Sequence, residues 1–264
     1  MNTGNDSAPG AARPPRRVLV TGASGGIGAA VARAFAAQGD RIAVHYSSRV
    51  DRADRLVAEL PGDGHLAVGA DLTDPAAVPP LVAATVEGLG GVDVLVNNAA
   101  LLTPAHPPVT TSYDDWTKAW RDVLAVNLIG AANLTHQVAV RMIEQGSGGR
   151  IVNVGSRGAF RGEPEHPAYG ASKAGLHALG QSLAIALAPH GISVTSVAPG
   201  FVDTERVSGR LAGAAGDAIR AQSPFDRVAT PEEIAAAVVY LASAEALWAS
   251  GTILDLNGAS YLRT

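Results

Sequence analysis

The 264-residue sequence predicts a doubly wound α/β fold, in which a parallel sheet of about seven strands carries helices on both faces. Short apolar runs alternate with helical patterns from position 17 onward, each pair spanning about 25 to 30 residues. The apolar runs suit strands that are buried on both faces. A glycine-rich turn also follows the first strand and opens a helix, as at the ligand-binding edge of such sheets.

The first strand, residues 17–21, ends in a turn with the spacing G-x-x-x-G-x-G at positions 22–28. Glycines allow a backbone to approach a pyrophosphate closely, and a helix N-terminus offers unpaired N–H groups and a positive dipole end. An apolar helical pattern follows, from Ile27 to Gln38. Because strand, turn and helix occur in this order, we interpret the turn as a dinucleotide-binding element.

The second strand, residues 41–46, is followed by Ser47, Ser48 and Arg49. An acidic residue at this point would bind a ribose 2′-hydroxyl, and the loop has none. A cation and two hydroxyls suit a 2′-phosphate better, which favours NADP(H) over NAD(H). The alternative is an ordinary helix start capped by Ser48.

The middle of the chain continues the alternation. The third strand, residues 65–70, precedes a helix capped by Thr73 or Asp74, and the fourth strand covers residues 92–96. Ser112 has capping-box spacing before a long helix at about 113–145. Asparagine is intrinsically poor inside a helix, so Asn127 indicates a kink, a water site or harmless burial.

The second half supplies a serine at the end of a strand. The fifth strand ends at Val154, and Ser156 follows at its carboxyl end. Thr230 opens a helix with proline at its first position and glutamate at its third. The remaining predicted elements are a loop (157–167), a helix (169–191), a strand (192–197) that closes in Ala198-Pro199-Gly200, a short helical lid (201–228) and a last strand (252–256).

Tyr169 and Lys173 lie four positions apart in a predicted helix, so they share one face. An unperturbed phenol has a pKa of about 10, and an ammonium at 4 Å favours the phenolate by roughly 4 kcal/mol at an effective dielectric of 20. Three pKa units correspond to about 4 kcal/mol, so one lysine is enough to make the phenol a useful acid or base. A solvated pair on a helix face is the alternative for an isolated motif.

Composition excludes several functions. The chain has no cysteine, which excludes disulfides and thiol catalysis and fits a cytoplasmic protein. Its net charge of −4 gives no basic surface for nucleic acid. Its scattered histidines predict no metal site, and no apolar run is expected to cross a membrane. Residues 1–15 are interpreted as a flexible tail and 16–264 as one domain.

These motifs together resemble the short-chain dehydrogenase/reductase family, in its short single-domain form with a Rossmann fold, over about residues 16–260. The resemblance implies that Tyr169 is the general acid/base, that Ser156 polarises the substrate oxygen and that Lys173 assists the tyrosine. It also implies that Asn127 holds a water linked to Lys173. The motifs that carry it are Thr21-Gly22-x-x-x-Gly26-x-Gly28, Asp71-Leu72, Asn97-Asn98-Ala99, Asn127, Ser156, Tyr169-x-x-x-Lys173 and Pro199-Gly200-x-x-x-Thr204.

The chain departs from the family pattern at two positions, and one of these departures bears on the cofactor. Many NADP-using relatives carry a basic residue where this chain has Gly25, which leaves Arg49 as the chief support for NADP(H). Ala100 replaces a usual glycine. Relatives are also dimers or tetramers that pair their long helices. The predicted cofactor-binding residues are Gly22, Ser24, Gly26, Ile27, Gly28, Ser47, Ser48, Arg49, Asp71, Leu72, Asn98, Ala99, Tyr169, Lys173, Pro199, Gly200 and Thr204.

The leading functional hypothesis is an NADP(H)-dependent oxidoreductase that interconverts a carbonyl and a secondary alcohol of a small molecule. The alternatives are a 3-oxoacyl thioester reductase, a non-redox nucleotide-binding sensor or scaffold, and a dehydratase or epimerase. Arg157 and Arg161 lie near the expected mouth, where they either meet an anionic substrate or carrier or are simply solvated. The loops that shape the pocket, 101–110, 157–167 and 201–225, leave the substrate open.

Overall fold

A computed structural model describes residues 14–209 and 211–263, and within them seven parallel strands form one sheet. The strands are β1 (Arg17–Val20), β2 (Arg41–Tyr46), β3 (Leu66–Gly69), β4 (Val94–Asn97), β5 (Gly149–Val154), β6 (Ile192–Pro199) and β7 (Ile253–Leu256). Their order is β3-β2-β1-β4-β5-β6-β7. The order reverses between β1 and β4, which places a ligand crevice at the carboxyl ends of these strands. The predicted doubly wound α/β fold is confirmed.

Helices cover both faces of the sheet. The long ones alternate with the strands along the chain, and the short ones lie in loops above the carboxyl ends of the strands. The α-helices of the described residues are α1 (Gly26–Ala36), α2 (Val50–Glu59), α3 (Val78–Leu89), α4 (Tyr113–Leu124), α5 (Ala131–Gln145), α6 (Gly158–Arg161), α7 (Pro167–Leu187), α8 (Glu205–Ser208), α9 (Gly213–Arg220) and α10 (Pro231–Leu241).

The sheet separates two apolar cores. Because side chains alternate along a strand, Val18 and Val20 enter one core and Leu19 enters the other. Helices α1 and α10 cover the first core, and α3 and α5 cover the second. Both faces of β1 are therefore buried, as the continuous apolar run predicts.

The predicted helix 113–145 is interrupted in the structure. A π-helical turn, Ala125–Gly130, separates α4 from α5 and contains Asn127. This confirms a local irregularity at the asparagine.

By length and composition the 33-residue stretch Tyr113–Gln145 meets the criteria for a membrane span, which the sequence pattern did not lead us to expect. Nearly half of its most apolar window is buried in the protein, and the core helix of a water-soluble protein meets the same criteria.

Three helix starts have the capping residues that the local sequence predicts. Thr230 and Glu233 form the predicted capping box of α10, and the Ser112 hydroxyl accepts a hydrogen bond from the Asp115 N–H at the start of α4. Asp74 caps a 3₁₀ turn, Pro75–Ala77, ahead of α3. The proposed Ser48 cap is wrong, since α2 has Arg49 at its N-cap and no capping side chain.

The predicted lid contains two short helices, α8 and α9. The proposed flexible tail covers residues 1–15, of which residues 1–13 lie outside the described residues. The division into a tail and one domain stays a prediction.

Candidate active site

Tyr169 and Lys173 lie on the face of α7 that borders a cleft of about 540 Å³ at the carboxyl ends of the strands. Lys173 is 2% exposed, and its Nζ donates a hydrogen bond of 2.8 Å to the carbonyl of Val154 at the end of β5. The same Nζ lies 5.8 Å from the centre of the Tyr169 ring. The helical spacing thus brings a cation close to the phenol, as the sequence predicts.

Ser156 lies two residues beyond β5 and lines the same cleft. Its Oγ accepts a hydrogen bond of 3.0 Å from the N–H of Gly158, at the first turn of α6. This contact holds the hydroxyl oxygen while its hydrogen remains available for a ligand oxygen. The structure therefore brings a serine, a tyrosine and a lysine to one wall of the cleft.

Asn127 is 1% exposed and is not among the residues lining the cleft. It connects segments that carry lining residues. Its Oδ1 accepts from the N–H of Leu101 (2.7 Å), and its Nδ2 donates to the carbonyl of Leu101 (3.0 Å) and to Ser172 Oγ (3.1 Å). Ser172 directly precedes Lys173. The π-helical turn therefore positions the Asn127 side-chain amide so that its hydrogen bonds connect the loop after β4 to α7. Such turns often occur at functional sites.

The glycine-rich turn lines the same cleft. Helix α1 begins at Gly26 without a capping side chain, and Gly26 and Ile27 line the cleft together with Gly22 and Ser24. The helix N-terminus and its dipole therefore face the cleft, which suits a phosphate group.

Gly28 has a packing role. A Cβ at this position would lie 2.5 Å from Asn98 Nδ2, and Gly28 is not part of the cleft wall. Asn98 in turn donates to the carbonyl oxygens of Thr21 (2.8 Å) and Gly22 (3.1 Å). The turns after β1 and β4 are thus tied together, with Ala99 packed against Gly22.

His45 braces the same turn from β2. It is buried, and burial lowers its pKa to about 4. Its Nδ1 accepts a hydrogen bond of 3.1 Å from the N–H of Gly22, so the proton lies on Nε2, which faces the carbonyl of Ala70 at 3.1 Å. A neutral histidine therefore joins the turns after β1 and β3.

Charged residues border the cleft beyond β2. Arg49 lines it, as does Arg52, whose Nη1 forms a 2.7 Å ion pair with Glu205 of α8. This ion pair raises the pKa of Arg52 and lowers that of Glu205. Sequence reasoning missed Arg52, although it follows Arg49 by one helical turn. The exposed residues Ser47 and Ser48 are not among those lining the cleft.

The predicted residues after β3 lie outside the cleft wall. The Asp71 carboxylate accepts hydrogen bonds from the N–H and the hydroxyl of Thr73 (2.9 and 2.8 Å), and Leu72 is buried in the second core. Pro199, Gly200 and Thr204, in contrast, line the cleft, and their contact with the cofactor stays a prediction. The loops expected to shape the pocket contribute Leu102, Glu163, His166, Phe201, Val202, Glu205 and Val207 to the cleft lining. The sequence did not assign four further lining residues to a site, which are Gly25, Ala100, Val154 and Gly155.

His177 lies one helical turn beyond Lys173, beneath the loop that carries Ser156. It is 2% exposed, and its ring stacks on Phe160 with centroids 5.3 Å apart. Burial, with a smaller contribution from Lys173, lowers its pKa to about 4, against the opposing effect of the Ser156 backbone. A neutral histidine thus fills the space next to Gly155.

Comparison with known proteins adds to this geometry. A family model described as enoyl-(acyl carrier protein) reductase matches residues 22–258. L-rhamnose 1-dehydrogenase (NAD(P)(+)) of Sphingomonas sp. (strain SKA58) is 38% identical, with 94% of this chain and 96% of the relative aligned. The chain belongs to the short-chain dehydrogenase/reductase family. The match to this family together with a relative named as a dehydrogenase makes it an oxidoreductase.

Two further relatives agree. D-threitol dehydrogenase of Mycolicibacterium smegmatis is 38% identical over 91% of this chain and 90% of its own length. The crystal structure of a short-chain dehydrogenase from Burkholderia cenocepacia J2315 in complex with NADP superposes with a TM-score of 0.83 at 34% identity. That match covers 93% of this chain and 97% of the other.

Proposed function

We propose that this short-chain dehydrogenase/reductase interconverts a secondary alcohol and a carbonyl of a small molecule with NADP(H), and that Tyr169 is the general acid/base. The convergence of Tyr169, Lys173 and Ser156 on one wall of the cleft carries the proposal. Nothing would require all three for nucleotide binding alone, which argues against a non-redox sensor. A bound nicotinamide supplies the chemistry of hydride transfer.

The chain's own residues handle the oxygen and its proton. In the direction of reduction, the Tyr169 hydroxyl donates its proton to the substrate oxygen, and in oxidation it accepts one. The Ser156 hydroxyl donates a hydrogen bond to the same oxygen and orients it. Lys173, held by the Val154 carbonyl, stabilises the phenolate that remains after proton donation. Asn127 keeps α7 and the loop after β4 in register.

Other residues that line the cleft fit a dinucleotide. The uncapped N-terminus of α1 suits the pyrophosphate, and Arg49 with Arg52 suits a ribose 2′-phosphate. Pro199, Gly200 and Thr204 also line the cleft, and we propose that they border the nicotinamide.

Hydroxylated small molecules are the first substrates to test, because aligned relatives are named for rhamnose and threitol. A 3-oxoacyl thioester reductase is the second candidate, favoured by the acyl-carrier-protein description of the matching family model. The test is a panel of polyols, sugars, cyclic alcohols and 3-oxoacyl thioesters, followed by the absorbance of the reduced nicotinamide. Dinucleotide binding without turnover of any class would contradict the proposal and favour a sensor.

Arg49→Ala is expected to reduce the preference for NADP(H) over NAD(H) about tenfold or more, because a charge-assisted hydrogen bond to the 2′-phosphate contributes about 1.5–3 kcal/mol. The measurement is kcat/KM for both dinucleotides with one substrate. Arg55→Ala is the matched control. Arg55 is an exposed arginine of α2, the helix that begins after Arg49, and it forms an ion pair with Asp51 outside the cleft. An unchanged preference in Arg49→Ala would contradict the cofactor assignment.

We also propose a dimer or tetramer that pairs the long helices. Large apolar side chains are exposed along them, at Ile129, Val140 and Ile143 and, on α7, at Ile185. A cytoplasmic location stays a prediction.

A further inference from the structure

Arg157 follows Ser156 in the chain and is 5% exposed, contrary to the solvated arginine that the sequence leaves open. It lines the active-site cleft and also a second cavity of about 340 Å³ beside it. Its guanidinium lies over the Phe201 ring, 5.2 Å from the ring centre, and Phe201 also lines both spaces. Arg157 and Phe201 therefore form part of the partition between the cleft and the cavity.

The guanidinium has neutral partners. Its Nη2 donates to Gln222 Oε1 at 2.5 Å, and its Nη1 donates to Ser260 Oγ. Within the part of the chain that the structure describes, no carboxylate forms an ion pair with it. Of the five N–H donors of an arginine, these bonds use two. A charge buried in this way normally has a counter-charge.

The neighbouring charges add to the excess of positive charge around Arg157. Arg161 donates to the same Gln222 Oε1 at 2.7 Å, so two guanidinium groups share one neutral acceptor. Burial and Arg161 lower the pKa of Arg157, and the carboxylate of Glu163 opposes them only as the smallest contribution.

The carboxylates of the second cavity are already bound by other cations. Both oxygens of Glu233 accept from Arg227, at 2.6 and 2.8 Å, and Asp255 Oδ2 accepts from Arg263 at 2.8 Å, while the buried Asp255 Oδ1 accepts no hydrogen bond from the described residues. Neither carboxylate forms an ion pair with Arg157 among the described residues.

We propose that Arg157 determines specificity by binding an anionic group of the substrate, and that the substrate is a hydroxy or keto acid. This inference rests on the proposed function and names its substrate class. Ser156 and Arg157 are consecutive and both border the cleft, so one molecule can present its reacting oxygen to Ser156 and a carboxylate to Arg157. A carboxylate accepts two hydrogen bonds from a guanidinium, and Arg161 adds a second positive charge.

Removing Arg157 would not test this inference cleanly, because the side chain also joins the loop after β5 to the end of α9 and to the C-terminal segment. Gln222→Glu is the sharper variant. It keeps the size of the side chain and places a carboxylate against both guanidinium groups. Gln38→Glu is the matched control, because Gln38 also accepts a hydrogen bond from an arginine, Arg16, but far from the cleft.

The probes are 4-hydroxycyclohexanecarboxylate, its carboxamide and the phosphate monoester of cyclohexane-1,4-diol. Binding to the enzyme–NADPH complex is measured by calorimetry, and kcat/KM is measured with NADP. We expect the wild type to prefer the acid over the amide about tenfold or more, the range of a hydrogen bond to a charged group. Gln222→Glu should remove most of this preference by weakening the acid alone, and Gln38→Glu should retain it.

Equal binding of acid and amide by the wild type would overturn the inference. So would a Gln222→Glu variant that weakens both probes equally, since that result indicates a purely structural Arg157. A preference for the phosphate over the acid supports an anion site but assigns it to phosphorylated substrates. The proposed function fails separately, when no alcohol or ketone of any charge is turned over although dinucleotide and acid bind.

Discussion

Replacing Tyr169 by phenylalanine is expected to lower kcat about 10²–10⁴-fold, the usual contribution of a positioned general acid or base. The substitution removes one hydroxyl and leaves the ring in place over Lys173, whose Nζ stays bound to the Val154 carbonyl. Dinucleotide affinity should therefore change little. Steady-state kinetics and a fluorescence titration with NADPH measure the two quantities.

The control for this variant is Tyr113→Phe, which removes the hydroxyl of an exposed tyrosine at the start of α4. It should retain full activity. If Tyr169→Phe kept most of its turnover, the assignment of the acid/base would be wrong. Loss of NADPH binding in the same variant would instead indicate a structural role for the hydroxyl.

Replacing Gly155 by alanine is expected to lower kcat/KM about 100-fold, because small displacements of a catalytic group are that costly. The new methyl group would overlap the His177 ring, which is buried and stacked on Phe160. The ring has little freedom to retreat, so the backbone that carries Ser156 must move. Overpacking of this kind also costs about 1–3 kcal/mol of unfolding free energy. Chemical denaturation and kinetics measure the two effects.

The double variant Gly155→Ala, His177→Ala tests the cause. Truncation of the ring removes the overlap, so the two substitutions should compensate with a coupling of about 1 kcal/mol or more in unfolding free energy. Gly209→Ala is the matched control, because a Cβ there has no neighbour within 4 Å among the described residues. Additive effects of the two substitutions would show that overlap with His177 is not the reason for the loss.

Much of the fold and part of the candidate site follow from local sequence. Each strand was predicted to within two residues of its bounds, because apolar runs and glycine turns are local signals. Tyr169 and Lys173 share a face through helical spacing, which requires no tertiary information. The capping box at Thr230 is likewise contained in four residues. The irregularity at Asn127 was signalled by an amide in an apolar helix, although its form, a π-helical turn, was not.

Other features of the site depend on residues far apart in the chain. Arg52 and Glu205 form an ion pair although they are 153 positions apart in the chain. Position 28 requires glycine because a Cβ there would overlap the side chain of Asn98, which follows β4. A periodic pattern in the sequence does not reveal contacts between residues so far apart in the chain. Asp71 lies in a turn and Leu72 in the second core, and their contact with the cofactor, which the motif implies, stays a prediction.

The sequence by itself determined the doubly wound sheet, the phosphate-suited turn and the shared face of Tyr169 and Lys173, because each depends on spacing along a single element. Only the tertiary structure decided that Arg157 is buried without a carboxylate partner among the described residues, and that His177 occupies the space next to Gly155. Burial and counter-charge are properties of packing between distant segments. They cannot be recognised from any local sequence pattern.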